Sequence, residues 1–433
     1  MKIAIAGYGV EGESNYRYWS KDPRHTITIV DEADHPKHAL PKGVDTILGE
    51  GAFHQLIGFD MVVRTAGLSP DKIRTRGKRW SATNEFFEKC PVPIIGVTGT
   101  KGKGTTATMI AGILRANYQK VWLVGNIGTA ALDILDDISE GDAVVYELSS
   151  FQLWDAERSP NVAVVLGIEP EHLDVHKDMK DYVGAKQRIR TYQSKGDICV
   201  YHPTNEYARL IALSNTTAAM QRYGIKADNG AYIHEKSFYV DEQEICSTDV
   251  ISVPGKHNLE NACAAITVAK HLGLSNKMIT KGLSSFKALP HRLELVKTVD
   301  GVDYYNDSFS SSPTATIAAM TAFTQPEIVI IGGVHRGASH EQLVKTIAQA
   351  NNVKEVVLIG DVKQTLAKAL RRADVAATVT VFDGTKMADI VAYAQSKADR
   401  GDKVLLSPGY ASFDMFTDFY DRGDQFKKEV QAL

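Results

Sequence analysis

The chain is poor in cysteine and has no excess of charge of either sign, and each shortage removes a class of protein. Its four cysteines, Cys90, Cys199, Cys246 and Cys263, lie far apart without a C-x-x-C pair. That spacing argues against a structural zinc site or a disulfide framework and favours a reducing compartment. Lysine and arginine total 49 against 52 acidic residues, so no basic surplus advertises a nucleic acid or an anionic membrane. No stretch offers the roughly eighteen uncharged apolar residues of a membrane span. The opening MKIAIAGYG runs from a strand into a glycine turn and does not read as a secretory leader. The expectation is a cytoplasmic monomer that acts on small molecules and binds neither nucleic acid nor membrane.

The composition, 44% hydrophobic and 23% charged, is that of an ordinary soluble protein. At 433 residues the chain exceeds one core, and about three domains are expected. Strand-like runs alternate with helical stretches in three blocks. The first reads KIAIAG as a strand, a helix after Gly12, then TITIVD and MVVRTAG as strands, with CPVP at Cys90–Pro93 as a linker. The second carries PIIGVTG, WLVGN, AVVYELSS and VAVVLGI, the pattern of a parallel sheet with functional loops at its carboxyl edge. Residues 196–256 are irregular, and GKHNLENACAAITVAKHLG returns as a helix. After ALPHRLELV the third block reads VDYYNDS, IVIIGG, EVVLIGD, TVTVFDG and KVLLSPG as strands. The expected fold is α/β: a Rossmann-like domain at 1–90, a central P-loop-type parallel-sheet ATPase domain at 91–289, and a Rossmann-like domain at 290–433.

GYGVEG, Gly7 to Gly12, fits G-x-G-x-x-G after a strand, and Asp31 follows nineteen residues past Gly12 at the end of the next strand. Glycines let backbone approach a pyrophosphate, and an acid takes a ribose hydroxyl; a ligand-free tight turn is the plainer alternative. VTGTKGKGTTATM resembles a phosphate loop with altered spelling. Gly102 and Lys103 are in place, but Val97 holds the first glycine's position and Gly104 the hydroxyl's. Gly99, Gly102 and Gly104 between a strand and a helix still offer backbone N–H groups to an anion, with Lys103 as a point charge. Thr105 or Thr106 is left to supply the hydroxyl.

Glu147 ends AVVYELSS at the same expected sheet edge, where a carboxylate can hold magnesium or simply start a helix. EPEHLDVH places Glu169, Glu171, His172, Asp174 and His176 after VAVVLGI, a candidate second cation site or a solvated loop. In DYVGAKQRIRTY, Lys186 shares an apolar face with Tyr182 and Ile189; spacing alone favours snorkelling or an ion pair. His257, Asn258 and Asn261 share a helix face at spacings of three and four, and Arg292 and Asp307 follow.

Taken in order, VTGTKGKGTT, GNIG, YELSSFQL, EPEHLDVH, YVGAKQRI, GKHNLENACAA, PHRLE, NDSFSSS and LLSPGYASFDMF resemble the Mur ligases of bacterial cell-wall synthesis along essentially the whole chain. The glycine turn and the closing SPGYASFDMFTDFYDRGDQFKK look most like the members that join D-glutamate to UDP-N-acetylmuramoyl-L-alanine. The resemblance implies an ATP-dependent amide ligase of peptidoglycan precursor synthesis, working through an acyl phosphate and releasing ADP and phosphate. It implies catalytic roles for Lys103, Glu147, His172, Lys186 and Asn126. Lys186 matches a lysine that the family carbamylates. Magnesium would fall to Glu147, His172, carbamylated Lys186 and Thr105. ATP would contact Gly99, Thr100, Gly102, Lys103, Gly104, Thr105, Thr106, Asn258, Asn261, Arg292 and Asp307. The UDP moiety would take Gly7, Gly9, Val10, Glu11, Gly12 and Asp31. The amino acid would take Arg336, Phe419 and Ser412, the last through helix-start donors.

Three departures bear on the substrate. Gly104 replaces the family's serine or threonine, and Phe309 and Arg336 stand where the D-glutamate enzymes usually have lysines. Arginine can still hold a carboxylate, bidentately; phenylalanine cannot. Three rival readings remain: a ligase of the same family that adds a different amino acid, and two others. A nicotinamide-dependent oxidoreductase follows from GYGVEG and Asp31 alone but leaves the second phosphate loop idle. A non-catalytic nucleotide-binding protein is suggested by Gly104 and Phe309.

Overall fold

The computed structural model describes all residues except 37, 127, 216 and 338; Ile127 of GNIG therefore lies outside the described residues. The chain forms two compact units, one of residues 1–250 and 259–286, the other of 251–258 and 287–433.

The first unit contains two parallel sheets. The opening sheet has β1 (Lys2–Ala6), β2 (Thr26–Asp31), β3 (Asp45–Leu48), β4 (Met61–Arg64) and β5 (Lys78–Ser81), ordered β3-β2-β1-β4-β5, with helices α1 (Val10–Trp19) and α2 (Ala82–Lys89). The helix expected after Gly12 begins at Val10, so Gly12 lies in its first turn. A Cβ at Gly12 would stand 2.2 Å from the Gly7 carbonyl oxygen; only glycine lets the helix pack this close to the strand it follows.

The second sheet has β6 (Ile94–Thr98), β7 (Val121–Gly125), β8 (Ala143–Glu147), β9 (Val162–Val165), β10 (Ile198–Tyr201) and β11 (Ala219–Arg222), ordered β11-β10-β9-β6-β8-β7. Helices α3 (Lys103–Leu114), α4 (Ser150–Leu153), α5 (Met179–Thr191) and α6 (Glu206–Ala212) alternate with them. Every residue of β6, β8 and β9 is buried, as befits parallel strands covered on both faces and written as continuous apolar runs. The irregular stretch contains β10 and β11, too short to stand out, and an antiparallel sheet of β12 (Tyr232–His234), β13 (Ser237–Val240) and β14 (Gln243–Ser247). Then come α7 (Lys256–His271) and α8 (Asn276–Ser284).

The second unit pairs the antiparallel β15 (Glu294–Val299) and β16 (Val302–Asn306) at one edge of a sheet that continues with β17 (Glu327–Gly332), β18 (Val353–Ile359), β19 (Thr378–Val381) and β20 (Lys403–Gly409). The order is β15-β16-β20-β17-β18-β19. Around it run α9 (Pro313–Met320), α10 (Glu341–Gln349), α11 (Lys363–Arg372), α12 (Met387–Lys397) and α13 (Phe419–Ala432). Two-residue alternation divides β17 between two cores: Val329 and Ile331 enter one, Ile328 and Ile330 the other. β15 was not legible because ELVKTV is half-exposed and breaks its alternation at a bulge.

In the first unit one buried ion pair ties β4 to the segment after α4. Arg64, fully buried, donates to both carboxylate oxygens of Asp155 (2.8 and 2.6 Å) and to the carbonyls of Thr65, Ala66, Leu68 and Phe151. Truncation to alanine leaves the largely buried Asp155 carboxylate and several carbonyl acceptors without their donor. Arg64→Ala is expected to cost about 3–5 kcal/mol of unfolding free energy in denaturant melts; a loss below about 1 kcal/mol would show that water reaches the site. Among the described residues no helix is long and apolar enough to cross a membrane.

Candidate active site

Helix starts separate the two glycine turns from five other helices of the first unit. Ser81, Ser149, Asp178, Asn205 and Ser275 cap α2, α4, α5, α6 and α8 through their side chains. By contrast α1 and α3 begin at Gly9 and Gly102 with no side-chain cap. The first N–H groups of a helix need an acceptor, and a helix without a side-chain cap offers them to an anion. Gly102 adopts φ +79°, and a Cβ there would lie 2.4 Å from Asn261 Oδ1. Thus Asn261 of α7 abuts the loop and closes that position to other residues.

The loop is braced from beneath. Thr100 donates its N–H to Gly167 O (2.9 Å) and its Oγ1–H to Glu169 O (3.0 Å), and Oγ1 accepts from Glu169 N (2.8 Å). Tyr182 OH lies 3.0 Å from the same hydroxyl. Lys103 Nζ donates to Thr100 O at 2.9 Å, which folds the cation over the loop. Thr105 is partly exposed, whereas Thr106 is buried and its Oγ1 has no hydrogen-bond partner among the described residues.

Strand register carries the acid to the same edge. Glu147 pairs with Val97 of β6 on one side and Gly125 of β7 on the other, and it is buried. Asn126, exposed, follows Gly125 and donates its N–H to Glu147 O (3.3 Å). Lys186 of α5, 1% exposed, reaches the same loop from below and donates to Gly99 O (2.9 Å) and Thr98 Oγ1 (3.4 Å). Its ammonium also stands 4.8 Å over the Tyr182 ring. Burial, and after it the charge of Lys103, holds the Lys186 amine well below the usual lysine range, against the pull of Glu171 and Glu147. Burial likewise lowers His172, with Glu171 pulling upward and Lys103 and Lys186 pushing down. The site therefore presents an amine and an imidazole whose charged forms are disfavoured, beside a carboxylate and a lysine.

The EPEHLDVH segment does not act as one cluster. His176 is buried, its Nδ1 2.9 Å from Asp181 Oδ2 and its Nε2 3.0 Å from Ser150 Oγ, with its ring stacked on Phe151. Both ring nitrogens are engaged, so the expectation of a cation ligand at His176 is corrected to a brace between α4 and α5. Glu169 pairs with Lys101 at the surface. Among the described residues no three His, Cys, Asp or Glu side chains converge as a metal cluster. The sequence held one signal for α4: Ser149 and Gln152 spell a capping box, which forms. The partners of His176 had no such signal.

At the first glycine turn Asp31 accepts from Tyr8 N (2.7 Å), so it stands beside the turn as expected. Gly7, at φ +93°, packs where a Cβ would meet Thr65 Oγ1, while Gly9 and Val10 are exposed. Glu11 points elsewhere: it accepts from Ala66 N (2.7 Å), and burial raises its carboxyl above the ordinary range.

On α7, Asn258 and Asn261 are buried and His257 is exposed. In the second unit Asp307 is buried and accepts from Ser310, Ser407 and Leu293 N; burial pushes its carboxyl up to about 6. The Arg292 guanidinium stacks 3.7 Å over the Phe309 ring, which meets Phe419 edge-on. Arg336 lies 4.9 Å over Phe413. Ser412 is buried and does not start a helix: α13 begins at Phe419 and is capped by Asp418, whose side chain accepts from Asp421 N.

A parallel-sheet protein with a glycine loop, a lysine and a carboxylate at one sheet edge is a nucleotide-dependent enzyme by its parts, and similarity to known proteins makes this specific. Residues 97–269 match the family model described as Mur ligase middle domain, and residues 291–409 match Mur ligase, glutamate ligase domain. A protein of Acetivibrio thermocellus named UDP-N-acetylmuramoylalanine--D-glutamate ligase is 37% identical, covering 100% of this chain and 96% of its own length. The chain belongs to the Mur ligase family and is an ATP-dependent ligase. Solved structures share the fold. MurC of Thermotoga maritima aligns at TM-score 0.62 and 17% identity over 100% of this chain and 99% of its own. MurF of the same organism, solved with ADP, aligns at 0.61 and 18% over 99% and 95%. The oxidoreductase reading is thereby set aside.

Proposed function

We propose that this chain joins D-glutamate to UDP-N-acetylmuramoyl-L-alanine at the expense of ATP. The supporting observation is the convergence of Lys103, Glu147, His172 and the buried Lys186 on one uncapped phosphate loop. The choice of amino acid rests on the full-length relatives that bear that name. In this reading ATP transfers its terminal phosphoryl group to the substrate carboxylate, giving an acyl phosphate and ADP. The amine of D-glutamate attacks that carbonyl, and the tetrahedral intermediate expels phosphate and leaves an amide. A free carboxylate is a poor electrophile, so the phosphoryl group supplies the leaving group that amide formation needs. Positioning and neutralisation of phosphate charge carry the catalysis.

Residues 1–90 hold the UDP moiety at the uncapped start of α1, with Gly7, Gly9, Val10, Gly12 and Asp31, while Glu11 shapes the turn through Ala66. Residues 91–289 hold ATP: Gly99 to Thr106 wrap the phosphates, Lys103 contacts the transferred group, and Asn126 lies near the reacting atoms. Residues 290–433 hold the amino acid, with Arg336 offering a fork to a carboxylate and Ser412 and Phe419 beside it. Arg292, stacked on Phe309, brings a cation close to the position where related enzymes keep lysine; it and Asp307, Asn258 and Asn261 serve the nucleotide.

The residues also fit magnesium: a buried carboxylate at Glu147 and His172, whose charged form burial disfavours, beside a phosphate loop suit an ion that takes few protein ligands and completes its shell with substrate oxygens. Glu147 and His172, with Thr105 and a carbamate on Lys186, would hold it, and it would neutralise phosphate charge. An uncharged Lys186 amine is the form that adds carbon dioxide. The enzyme works as a monomer in the cytoplasm, where ATP and the UDP-sugar are available.

Purified protein with ATP, magnesium and UDP-N-acetylmuramoyl-L-alanine, assayed for phosphate release against D- and L-amino acids, tests this. D-Glutamate is expected to give the fastest release by at least about tenfold, a discrimination of about 1.4 kcal/mol. A faster rate with any other amino acid would replace the proposed substrate.

A further inference from the structure

In the second unit, away from every residue assigned above, a cleft of about 610 Å³ opens at the amino end of β17. That volume suits a small ligand. Met320, Phe323 and Pro326 give it an apolar wall, and Thr346 and Asn352 give it polar atoms. Glu327, the first residue of β17, also lines it and is fully buried. Its Oε1 receives one long hydrogen bond from Asn352 Nδ2 (3.4 Å), and its Oε2 has no partner among the described residues. Buried polar atoms are nearly always paired, so this carboxyl calls for a partner from outside the chain.

The neighbouring strands supply no cation. Lys403, in register with Glu327, is bound to Asp303, and Lys354, next to its other register partner, is bound to Asp399 and Asp402. Neither α9 nor α10 contributes a charged residue to the lining. Burial alone pushes the Glu327 carboxyl up to about 8. A carboxyl in apolar surroundings gains most from a charge-assisted hydrogen bond.

We propose that this cleft binds a small organic cation, an ammonium or amidinium group on an apolar stem, with Glu327 as its counter-ion. Such a ligand would ionise Glu327 and displace its proton. β17 runs from Glu327 toward Arg336 at the other end of the sheet, so the cleft is separate from the proposed amino-acid site.

Calorimetry and thermal melts of the full chain with benzamidinium and n-butylammonium chlorides test the proposal, with benzamide, 1-butanol and sodium chloride as controls. The two cations are expected to bind and the controls not. Their affinity is expected to rise about tenfold per pH unit up to about pH 8 and then level, because binding releases the carboxyl proton. Glu327→Gln is expected to abolish binding while ligase turnover stays at the parent value. Thr346→Phe, which places a ring in the cleft and keeps the carboxyl, is expected to do the same. The proposal is overturned if no cation binds, if the neutral analogues bind equally, or if binding survives Glu327→Gln. None of these outcomes depends on which amino acid the ligase accepts.

Discussion

Lys103→Ala is expected to lower the turnover of ATP-dependent ligation by about a hundred- to a thousandfold while binding of the UDP-sugar stays within about twofold. The first figure follows from losing the positive charge that the loop presents to the transferred phosphoryl group; one preorganised donor at a developing charge contributes about 3–4 kcal/mol. The second follows from where the proposed UDP site lies, at the start of α1 on the opening sheet, whereas Lys103 begins α3 on the next. Structurally the substitution removes a hydrogen bond to Thr100 O within the loop, and Thr100 keeps its bonds to Gly167 and Glu169. The loop should therefore keep its shape. Steady-state phosphate release measures the first effect and calorimetric titration with UDP-N-acetylmuramoyl-L-alanine the second. If both fell together, the division of labour between the two sheets would be wrong.

Lys186→Met separates activity from stability, and the two should move in opposite directions. Burial holds this amine well below its ordinary range. Between that lowered value and about pH 10.4, the unfolded chain binds a proton at this lysine that the folded chain does not. Stability therefore rises with pH across that window, and at neutral pH the free lysine is a cost to the fold. Methionine of similar length removes that cost, and the variant should be about 1 kcal/mol or more stabler at pH 7. Its ligation should nevertheless fall by at least about a hundredfold, a loss of about 2.7 kcal/mol of transition-state stabilisation, because no carbamate can form. With Lys186→Ala the space left by the side chain should admit a short carboxylic acid, and acetate or formate should restore part of the rate. A stable variant with parental turnover would end the carbamate proposal. A variant both less stable and inactive would mean that the lysine is simply a packing element, held by Gly99 O and Tyr182.

The residues that were legible share a feature: each announces itself within a few neighbours along the chain. Gly102 and Lys103 sit between a strand and a helix that both declare themselves by pattern. Glu147 ends an apolar run, and Lys186 shares a helix face with Tyr182 and Ile189, both of which are buried with it. Elsewhere the local pattern was ambiguous. Gly12 looked like the end of a turn but lies inside α1, because close helix–strand packing also demands glycine there. His176 looked like a companion of His172, four residues away, and instead turns inward to Ser150 and Asp181.

Sequence alone determined the alternation of strands and helices, the two glycine turns and the family, since these depend on short-range spacing and on the identity of many residues in order. Tertiary structure decided what is paired with what. Arg64 meets Asp155 across 91 residues, Ser150 meets His176 across 26, and Glu327 has an oxygen without a partner among the described residues, in a cleft assembled from separate segments. No periodicity encodes such pairs. They arise when sheets and helices pack, and the low dielectric inside then disfavours the charged form of a buried amine or carboxyl.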